Sequence, residues 1–518
     1  MYKALENRSH CSKKISTLTV GKFIEIRKEV FDDERIFDYS FIEIGKLFLS
    51  KILEINTEQS NFKDIRNEYI ESSKNKEISE LEIDFYKDIC FKYLSLEKEP
   101  KETLFNSYRQ VTKDLEEIEK NILYINSEIK KLENKKQSKD LKYNIEDRYY
   151  SIQLSFYKEK NFIAKNEIID FLVKDIKNDA IKKSQKESSS SYQFTNLFNK
   201  IMPYKFSKAP LFSFLGNDYD VRDLTPLSNK FLDLAASAYP EIKNLYNDNK
   251  EEFFEFAKMY ISEKINDKED VITEIINLIE TNHILNRRKD VLKTIFNHYK
   301  NEDYISVVNI LPLQIEGIFH DISIELGISE SQSNKTAINE LLKILDKNTS
   351  SFHYFEYYSF IFPITRNKVA HGELIEDNLE HTAIMLILDL LPVCQFAVSE
   401  DIKINKVIKL MKNIEKNGKE DELLEFIQYL DICIPKFYKI SSLRENILKK
   451  YSEDKFWDYI NEKIMEEDIN NLEKENLIKY IGILKKNKIA YDKCELFFYN
   501  KSKLNHNISN NQYICILN

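Results

Sequence analysis

The sequence predicts an all-α protein, a multi-helical chain with a coiled-coil hairpin and a helical bundle over residues 301–400. Helix breakers are rare, because 518 residues contain 8 Gly and 9 Pro, several-fold less Gly than average usage. Leu, Ile, Lys and Glu are abundant, and apolar residues recur at helical spacing along most of the chain. The hydrophobic share of 42% allows a large core, and the length suggests two to four domains.

The charge balance restricts how this chain can bind nucleic acid. It carries 77 basic and 86 acidic residues, a net charge of −9. A nucleic-acid binder often has a basic excess, so an RNA-binding surface here must be a local patch. The basic residues are nearly all Lys, with 11 Arg. An Arg within an apolar segment therefore stands out, because its planar fork gives a fixed phosphate geometry that Lys lacks.

Cysteine spacing and hydropathy predict a cytoplasmic protein. The six Cys show no CxxC spacing, which argues against a zinc ribbon and a disulfide framework and fits reduced thiols. The N-terminus has no apolar run of the kind found in signal peptides. The longest apolar stretch, 383–398, contains Asp389 and Pro392 and is too short for a bilayer, so it predicts a core helix and no membrane contact.

The first element after the N-terminal helical region, 1–100, is a heptad pattern. Apolar residues alternate steps of four and three over four repeats, which predicts a coiled-coil hairpin over 101–180 with its tip near 137–140. An intermolecular coiled coil and a pair of ordinary bundle helices remain open alternatives. The seam residues of the first helix of the hairpin are Leu104, Tyr108, Val111, Leu115, Ile118, Ile122, Ile125, Ile129 and Leu132.

Turn chemistry then separates the hairpin from the rest of the chain. Residues 182–191 are Ser-rich and of low complexity, and 192–229 contain three of the nine Pro, so 181–229 reads as a linker or irregular segment. Helical patterning resumes in a helical region, 230–300. The bundle at 301–400 and a C-terminal helical region, 401–518, complete the predicted order.

The most informative segment is 366–372, Arg-Asn-Lys-Val-Ala-His-Gly. Pro363 suits the first turn of a helix, and Gly372 stands where a helix usually stops in the left-handed conformation. His371 follows Arg366 by five residues, about 140° round an ideal helix. The two side chains therefore converge only if the helix ends at Gly372 or if a second copy supplies the partner.

These residue types fit RNA cleavage by attack of the 2′-hydroxyl. That reaction needs a base, an acid and a cation on the phosphate as charge builds. His is the side chain best suited to proton transfer near neutral pH, and Arg clamps phosphate oxygens. Such chemistry needs no metal, and the sequence shows neither a metal-ligand cluster nor a P-loop. We therefore expect no metal and no cofactor.

Asn367 directly after Arg366 and Gly372 directly after His371 carry a family resemblance. The segment resembles the Arg-Asn-x-x-x-His signature of HEPN domains, the higher-eukaryote and prokaryote nucleotide-binding helical bundles. The upstream segment 310–319 is similar to an earlier helix of that bundle. The resemblance covers residues 301–400 and neither the hairpin nor the C-terminal region.

The resemblance implies a function. Many HEPN proteins are metal-independent endoribonucleases of toxin–antitoxin, abortive-infection and CRISPR systems, in which two domains pair with both motifs in one cleft. It implies that Arg366 and His371 are catalytic on RNA and that Asn367 orients the site. One motif per chain implies a homodimer, and a regulatory or antitoxin protein is a further expected partner. Because some HEPN domains have lost catalysis, a non-catalytic adaptor that recruits a partner through the coiled coil is the alternative.

The roles of several neighbouring residues can be interpreted in two ways. Glu316, in the predicted upstream helix, either faces the motif and supports the site or faces solvent. Arg287 and Arg288 form a basic cluster that either contacts the RNA backbone or is a solvated face. Arg366 itself has carboxylates within reach in sequence, at Glu356, Glu373 and Glu376, so a plain ion pair is its structural alternative.

Overall fold

The computed structural model divides the chain into two compact units. The first comprises Met1–Pro210 with Asp218–Val221, and the second comprises Leu211–Asn217 with Arg222–Asn518. The structure describes residues 15, 20–53, 55–74, 78–138, 142–185, 219–234, 238–264, 269–329, 338–350, 352, 355–372, 378–466 and 471–496.

The all-α prediction is confirmed. The described residues form helices and turns without a strand, and an isolated bridge between Leu96 and Gln185 is the nearest approach to one. The division between the two units falls inside the predicted irregular segment 181–229. Most of that segment, and part of the predicted hairpin tip, lie outside the described residues. The finer domain boundaries stay predictions.

The first unit has its core among its N-terminal helices. Gly45 lets its helix, Phe41–Ser50, approach the helix Glu82–Ile89, because a Cβ at this position would lie 2.6 Å from Cδ1 of Tyr86. Tyr69, Phe85 and Tyr86 fill this core with edge-to-face ring contacts. The helices are α1 (Val20–Phe31), α2 (Phe41–Ser50), α3 (Phe62–Ser73), α4 (Glu82–Ile89), α5 (Pro100–Gln137), α6 (Ile145–Lys174) and α7 (Ile176–Ser184).

The predicted hairpin is a pair of adjacent antiparallel helices, α5 and α6. Glu119 pairs with Lys165 at 2.8 Å, and Lys135 pairs with Asp147 at 2.5 Å, so the numbering rises on one helix as it falls on the other. Asn144 caps α6 by accepting a hydrogen bond from the Asp147 N–H. Coiled-coil packing of the two helices stays a prediction.

The buried face of α5 is wider than the predicted seam. Val111, Ile118, Ile122 and Ile125 of the seam are buried and Tyr108 is exposed, and the polar residues Ser107, Asp114 and Asn121 are buried as well. The added width follows from α7, which also packs against α5 and brings polar groups that need partners. The Ser107 hydroxyl donates to Asp179 on α7 at 3.2 Å, and heptad spacing by itself does not reveal this second neighbour.

The second unit contains the predicted bundle and the C-terminal region. Asn282 joins them, because its side-chain amide donates to the Ala397 carbonyl at 3.2 Å and to Asn405 Oδ1 at 3.0 Å. Its helices are α8 (Tyr239–Asp248), α9 (Lys250–Ser262), α10 (Val271–Thr281), α11 (His283–Asn286), α12 (Lys289–Lys300), α13 (Tyr304–Glu325), α14 (Ile338–Asn348), α15 (Phe362–Ala370), α16 (Leu379–Ala397), α17 (Lys403–Asn417), α18 (Glu420–Ile427), α19 (Ser441–Lys450), α20 (Asp454–Met465) and α21 (Asn471–Lys486).

The long apolar helix α16 is a core helix, as predicted. It packs against α13 and α9, and most of its side chains are buried. Among the described helices, α16 has the length and hydropathy of a membrane span, but 67% of that apolar window is buried inside the protein. Asn378 caps its start by accepting hydrogen bonds from the Glu380 and His381 N–H groups.

Candidate functional site

The motif lies at the end of the short helix α15. Pro363 is in its first turn, and the helix ends at Ala370 with His371 as its cap residue. Gly372 has a φ of +68°, the left-handed conformation in which helices commonly stop. The predicted start and stop of the motif helix are therefore confirmed. A π-helical turn, Tyr357–Ile361, leads into α15, and such turns occur often at functional sites.

Glu316 is the partner of Arg366. The Arg366 Nε donates to Glu316 Oε2 at 2.5 Å, and its second terminal nitrogen lies 2.5 Å from the same oxygen. The first terminal nitrogen donates to Asn367 Oδ1 at 2.8 Å. The two side chains of the ion pair are 27% and 26% exposed, so the pair opens to solvent.

This arrangement decides between the two alternatives for Glu316, and Arg366 forms an ion pair with it. Glu316 faces the motif rather than solvent, and Asn367 holds the guanidinium, so the structure brings three of the predicted site residues together. Glu356, which was an alternative partner of Arg366, is buried. The other two alternatives, Glu373 and Glu376, lie outside the described residues.

His371 is exposed at the C-terminal end of α15. The rise per residue places its backbone about 7.5 Å beyond that of Arg366 along the helix axis. Because the helix ends at this point, one of the two conditions for convergence of the side chains is met. A single chain thus presents an exposed imidazole at the end of the helix that carries Arg366, whose carboxylate partner Glu316 is partly exposed.

Arg288 braces the part of α13 that carries Glu316. Its guanidinium donates to Asp321 at 2.9 Å, to Gln314 Oε1 at 3.0 Å and to the Gly317 carbonyl at 3.0 Å. A Cβ at position 317 would lie 2.6 Å from this guanidinium, so Gly317 leaves the space that the contact needs. These bonds fix the turn of α13 next to Glu316.

The basic cluster 287–288 is therefore occupied by acidic partners within the protein. Arg287 is half-exposed and pairs with Glu325 at 3.2 Å. The same carboxylate forms a hydrogen bond with His283 Nε2 at 2.9 Å. The hydrogen bond from His283 and the charge of Arg287 lower the pKa of Glu325. Contact of Arg287 and Arg288 with RNA stays a prediction.

The bundle around the motif is acidic. Residues 301–400 contain 15 Asp and Glu against 5 Lys and Arg. A polyanion is repelled by the negative charge of this bundle, so Arg366 and its immediate neighbours must supply the local attraction.

The apolar side chain of Leu313, three residues before Glu316 on α13, is 42% exposed.

Sequence reasoning missed a buried charge pair that lies under the π-helical turn. Lys230, which is 1% exposed, forms an ion pair with Asp389 of α16. Its ammonium also donates to Asn229 Oδ1 and to the Tyr357 hydroxyl, each at 2.8 Å. The Tyr358 hydroxyl donates to the Asp389 carbonyl at 2.6 Å.

Burial disfavours the charged forms of both Lys230 and Asp389. Loss of water lowers the pKa of Lys230 and raises the pKa of Asp389, and their mutual attraction works against each shift. The network ties the π-helical turn, and hence the start of α15, to α16. A carboxylate in the most apolar segment of the chain was the available signal, because a buried charge requires a partner.

The described residues contain no cluster of metal ligands, and the comparisons with known proteins identify no family. In the described part of the chain, no group of three or more His, Cys, Asp or Glu side chains is placed to hold a metal ion. No family model, curated protein or solved structure matches the chain. The HEPN resemblance therefore stays a proposal.

Proposed function

We propose that this protein is a metal-independent endoribonuclease of HEPN type, an antiviral or toxin effector that cleaves RNA at its Arg/His site. The observation that carries the proposal is the partly exposed Arg366–Glu316 pair, with Asn367 on the same guanidinium and His371 at the helix end. Arginine forks of this kind hold phosphate through paired hydrogen bonds.

The proposed reaction uses Arg366 to bind the scissile phosphate and His371 to move a proton. A phosphate oxygen takes up the two guanidinium N–H donors that Glu316 and Asn367 leave available, so Glu316 keeps its contact with Arg366 while substrate is bound. As the 2′-oxygen attacks, negative charge builds on the phosphate, and Arg366 stabilises it. The products are a 2′,3′-cyclic phosphate and a 5′-hydroxyl.

A homodimer forms part of the proposal. Ile305 and Leu313 are exposed apolar residues on α13, the helix that carries Glu316. A second copy packed along this helix would cover them and bring two motifs to one cleft. A regulatory or antitoxin protein that occupies the same face would block the cleft.

The test compares wild-type protein, His371→Ala and the control His298→Ala on total RNA and tRNA in the presence of EDTA. His298 lies on α12 and pairs with Asp303 at 2.9 Å, so it reports the loss of a partly exposed His away from the motif. We expect His371→Ala to lose about 10²–10⁴-fold in cleavage rate, the usual contribution of a general acid or base. Equal rates for the wild type and His371→Ala would refute the ribonuclease.

The acidic charge of residues 301–400 favours a second candidate, a non-catalytic adaptor. In this function the bundle dimerises and the α5–α6 hairpin recruits a partner protein. Arg366→Ala would then leave cellular toxicity or defence unchanged, whereas shortening of residues 104–170 to a tight turn would abolish it. The ribonuclease predicts loss of the phenotype with Arg366→Ala.

A further inference from the structure

The side-chain oxygens of Glu316 have unequal surroundings. Oε2 accepts from two nitrogens of Arg366. Oε1 makes no hydrogen bond or ion pair with any residue that the structure describes. One oxygen is therefore fixed by the guanidinium, and the other is left to accept a further proton or hydrogen bond.

We propose that Glu316 is the proton acceptor of the cleavage reaction, so that each chain of the proposed dimer carries its own base, cation and acid. The inference rests on the proposed ribonuclease function and assigns the base within it. A single His cannot take one proton and give another in the same transfer. His371 in one chain therefore needs a second group, and Glu316 is the carboxylate that the structure places on Arg366.

The reaction balances with these residues. The Glu316 carboxylate takes the proton of the 2′-hydroxyl, and the 2′-oxygen forms a bond to phosphorus. The bond from phosphorus to the 5′-oxygen breaks with its electron pair, and protonated His371 gives its proton to that oxygen. Arg366 holds the phosphate oxygens during both transfers, and no further reactant is required.

The fixed position of Glu316 also favours this role. The Arg288 bonds to Gln314, Gly317 and Asp321 hold the turn of α13 on either side of residue 316. A base held by its backbone and by one oxygen loses little freedom when the substrate arrives, which lowers the barrier to proton transfer. Its partial exposure leaves a path for the ribose to reach Oε1.

Two substrates separate the base from the acid. One is an RNA dinucleotide, whose 5′-alkoxide leaving group needs a proton. The other is the 4-nitrophenyl ester of a nucleoside 3′-phosphate, whose leaving group departs as a stable anion. Both are tested over the four bases with wild type, Glu316→Gln, His371→Ala and the control Glu340→Gln, which alters an exposed Glu paired with Lys343.

We expect Glu316→Gln to lose about 100-fold or more in kcat on both substrates. His371→Ala loses a similar factor on the dinucleotide and stays within a few-fold of wild type on the nitrophenyl ester. Glu316→Asp recovers part of the cleavage rate. In Glu316→Gln, the acidic limb of the pH profile of kcat/KM disappears. The two substrates separate His371 as the acid, and loss of the acidic limb in Glu316→Gln is the readout that a merely structural role for Glu316 would not give.

Several results would overturn the assignment. If Glu316→Gln matches or exceeds wild type, Glu316 only restrains Arg366. If the nitrophenyl ester rescues Glu316→Gln as it rescues His371→Ala, Glu316 is not the base. If the wild type cleaves neither substrate, the ribonuclease fails and the base falls with it. Loss in His371→Ala without loss in Glu316→Gln refutes the base alone. Thermal unfolding of each variant excludes a folding defect.

Discussion

At the scale of single residues, the buried Lys230 is the largest departure from expectation. A charged ammonium in a protein interior is unfavourable unless each of its donors finds an acceptor. Asp389, Asn229 and Tyr357 supply the three acceptors that an ammonium can use. The ammonium also lies 4.2 Å from the centre of the Tyr357 ring, so it interacts with the ring as well as with its hydroxyl.

Replacement of Lys230 by Met should therefore destabilise the second unit strongly. It leaves Asp389 buried without its counter-charge, and breaking a buried pair in this way costs about 3–5 kcal/mol. Urea unfolding followed by tryptophan fluorescence measures the loss, because Trp457 is the only Trp of the chain and is buried in this unit.

The double variant Lys230→Met with Asp389→Leu is the informative comparison. Both charges are then gone, and an apolar pair of similar volume often restores most of the stability. We expect a smaller loss than in the single variant, with a remainder from the unpaired Tyr357 and Asn229. Lys300→Met, at an exposed position of α12, serves as the control and should change little. A single variant as stable as wild type would show that the pair carries no net stabilisation.

At the scale of elements, the short helix α15 is defined by its ends more than by its packing. It spans nine residues, from Phe362 to Ala370, and only Phe362 and Pro363 of these are buried. A helix this short is marginal by itself. Its π-helical approach and its glycine stop therefore decide where Arg366 and His371 point.

Gly372→Ala tests the stop directly. A Cβ at this position meets nothing within 4 Å, so the effect comes from the backbone φ of +68° alone. An L-residue in this conformation costs about 1 kcal/mol, and we expect that loss of unfolding free energy in urea.

Gly482→Ala is the matched control for this change. Position 482 also has open space around its Cβ, but it lies inside α21 with an ordinary φ. Alanine should there stabilise the protein by up to about 1 kcal/mol, because it favours the helix over glycine. Changes of the same sign in both variants would contradict the account of Gly372.

At the scale of the whole molecule, ion pairs set the dependence of stability on pH. Hydrogen bonds from neighbouring side chains are the largest cause that lowers the pKa of several carboxyls. The folded protein therefore binds fewer protons than the unfolded chain in acid. These carboxyls are Asp33, Glu280, Asp303, Glu325, Glu380 and Glu420.

Acid should therefore destabilise both units. The stabilisation by these groups is present above the unfolded pKa, about 4.5 for Glu, and is lost as pH falls through the lower folded values. We expect the urea midpoint to be similar at pH 7 and 6 and to fall below pH 5. Glu325→Gln, which removes a partly buried carboxyl, should show a shallower fall. A midpoint that rises in acid would contradict this linkage.

Local rules were enough for the helices around the motif. Pro363, Gly372 and Asn378 act within one turn of their own positions, through fixed φ angles and capping hydrogen bonds. The scarcity of breakers likewise determined that the chain is all-α. These features depend on neighbours in sequence, and a sequence records such neighbours directly.

Only the tertiary structure decided which residues meet. Glu316 and Arg366 are 50 positions apart, and Lys230 and Asp389 are 159 apart. Periodicity indicates which face of a helix is apolar but not which helix covers it, so it also missed the α7 contact that buries polar residues of α5. The sequence by itself therefore determined the helices and the motif, and the packing of distant helices gave Arg366 its carboxylate.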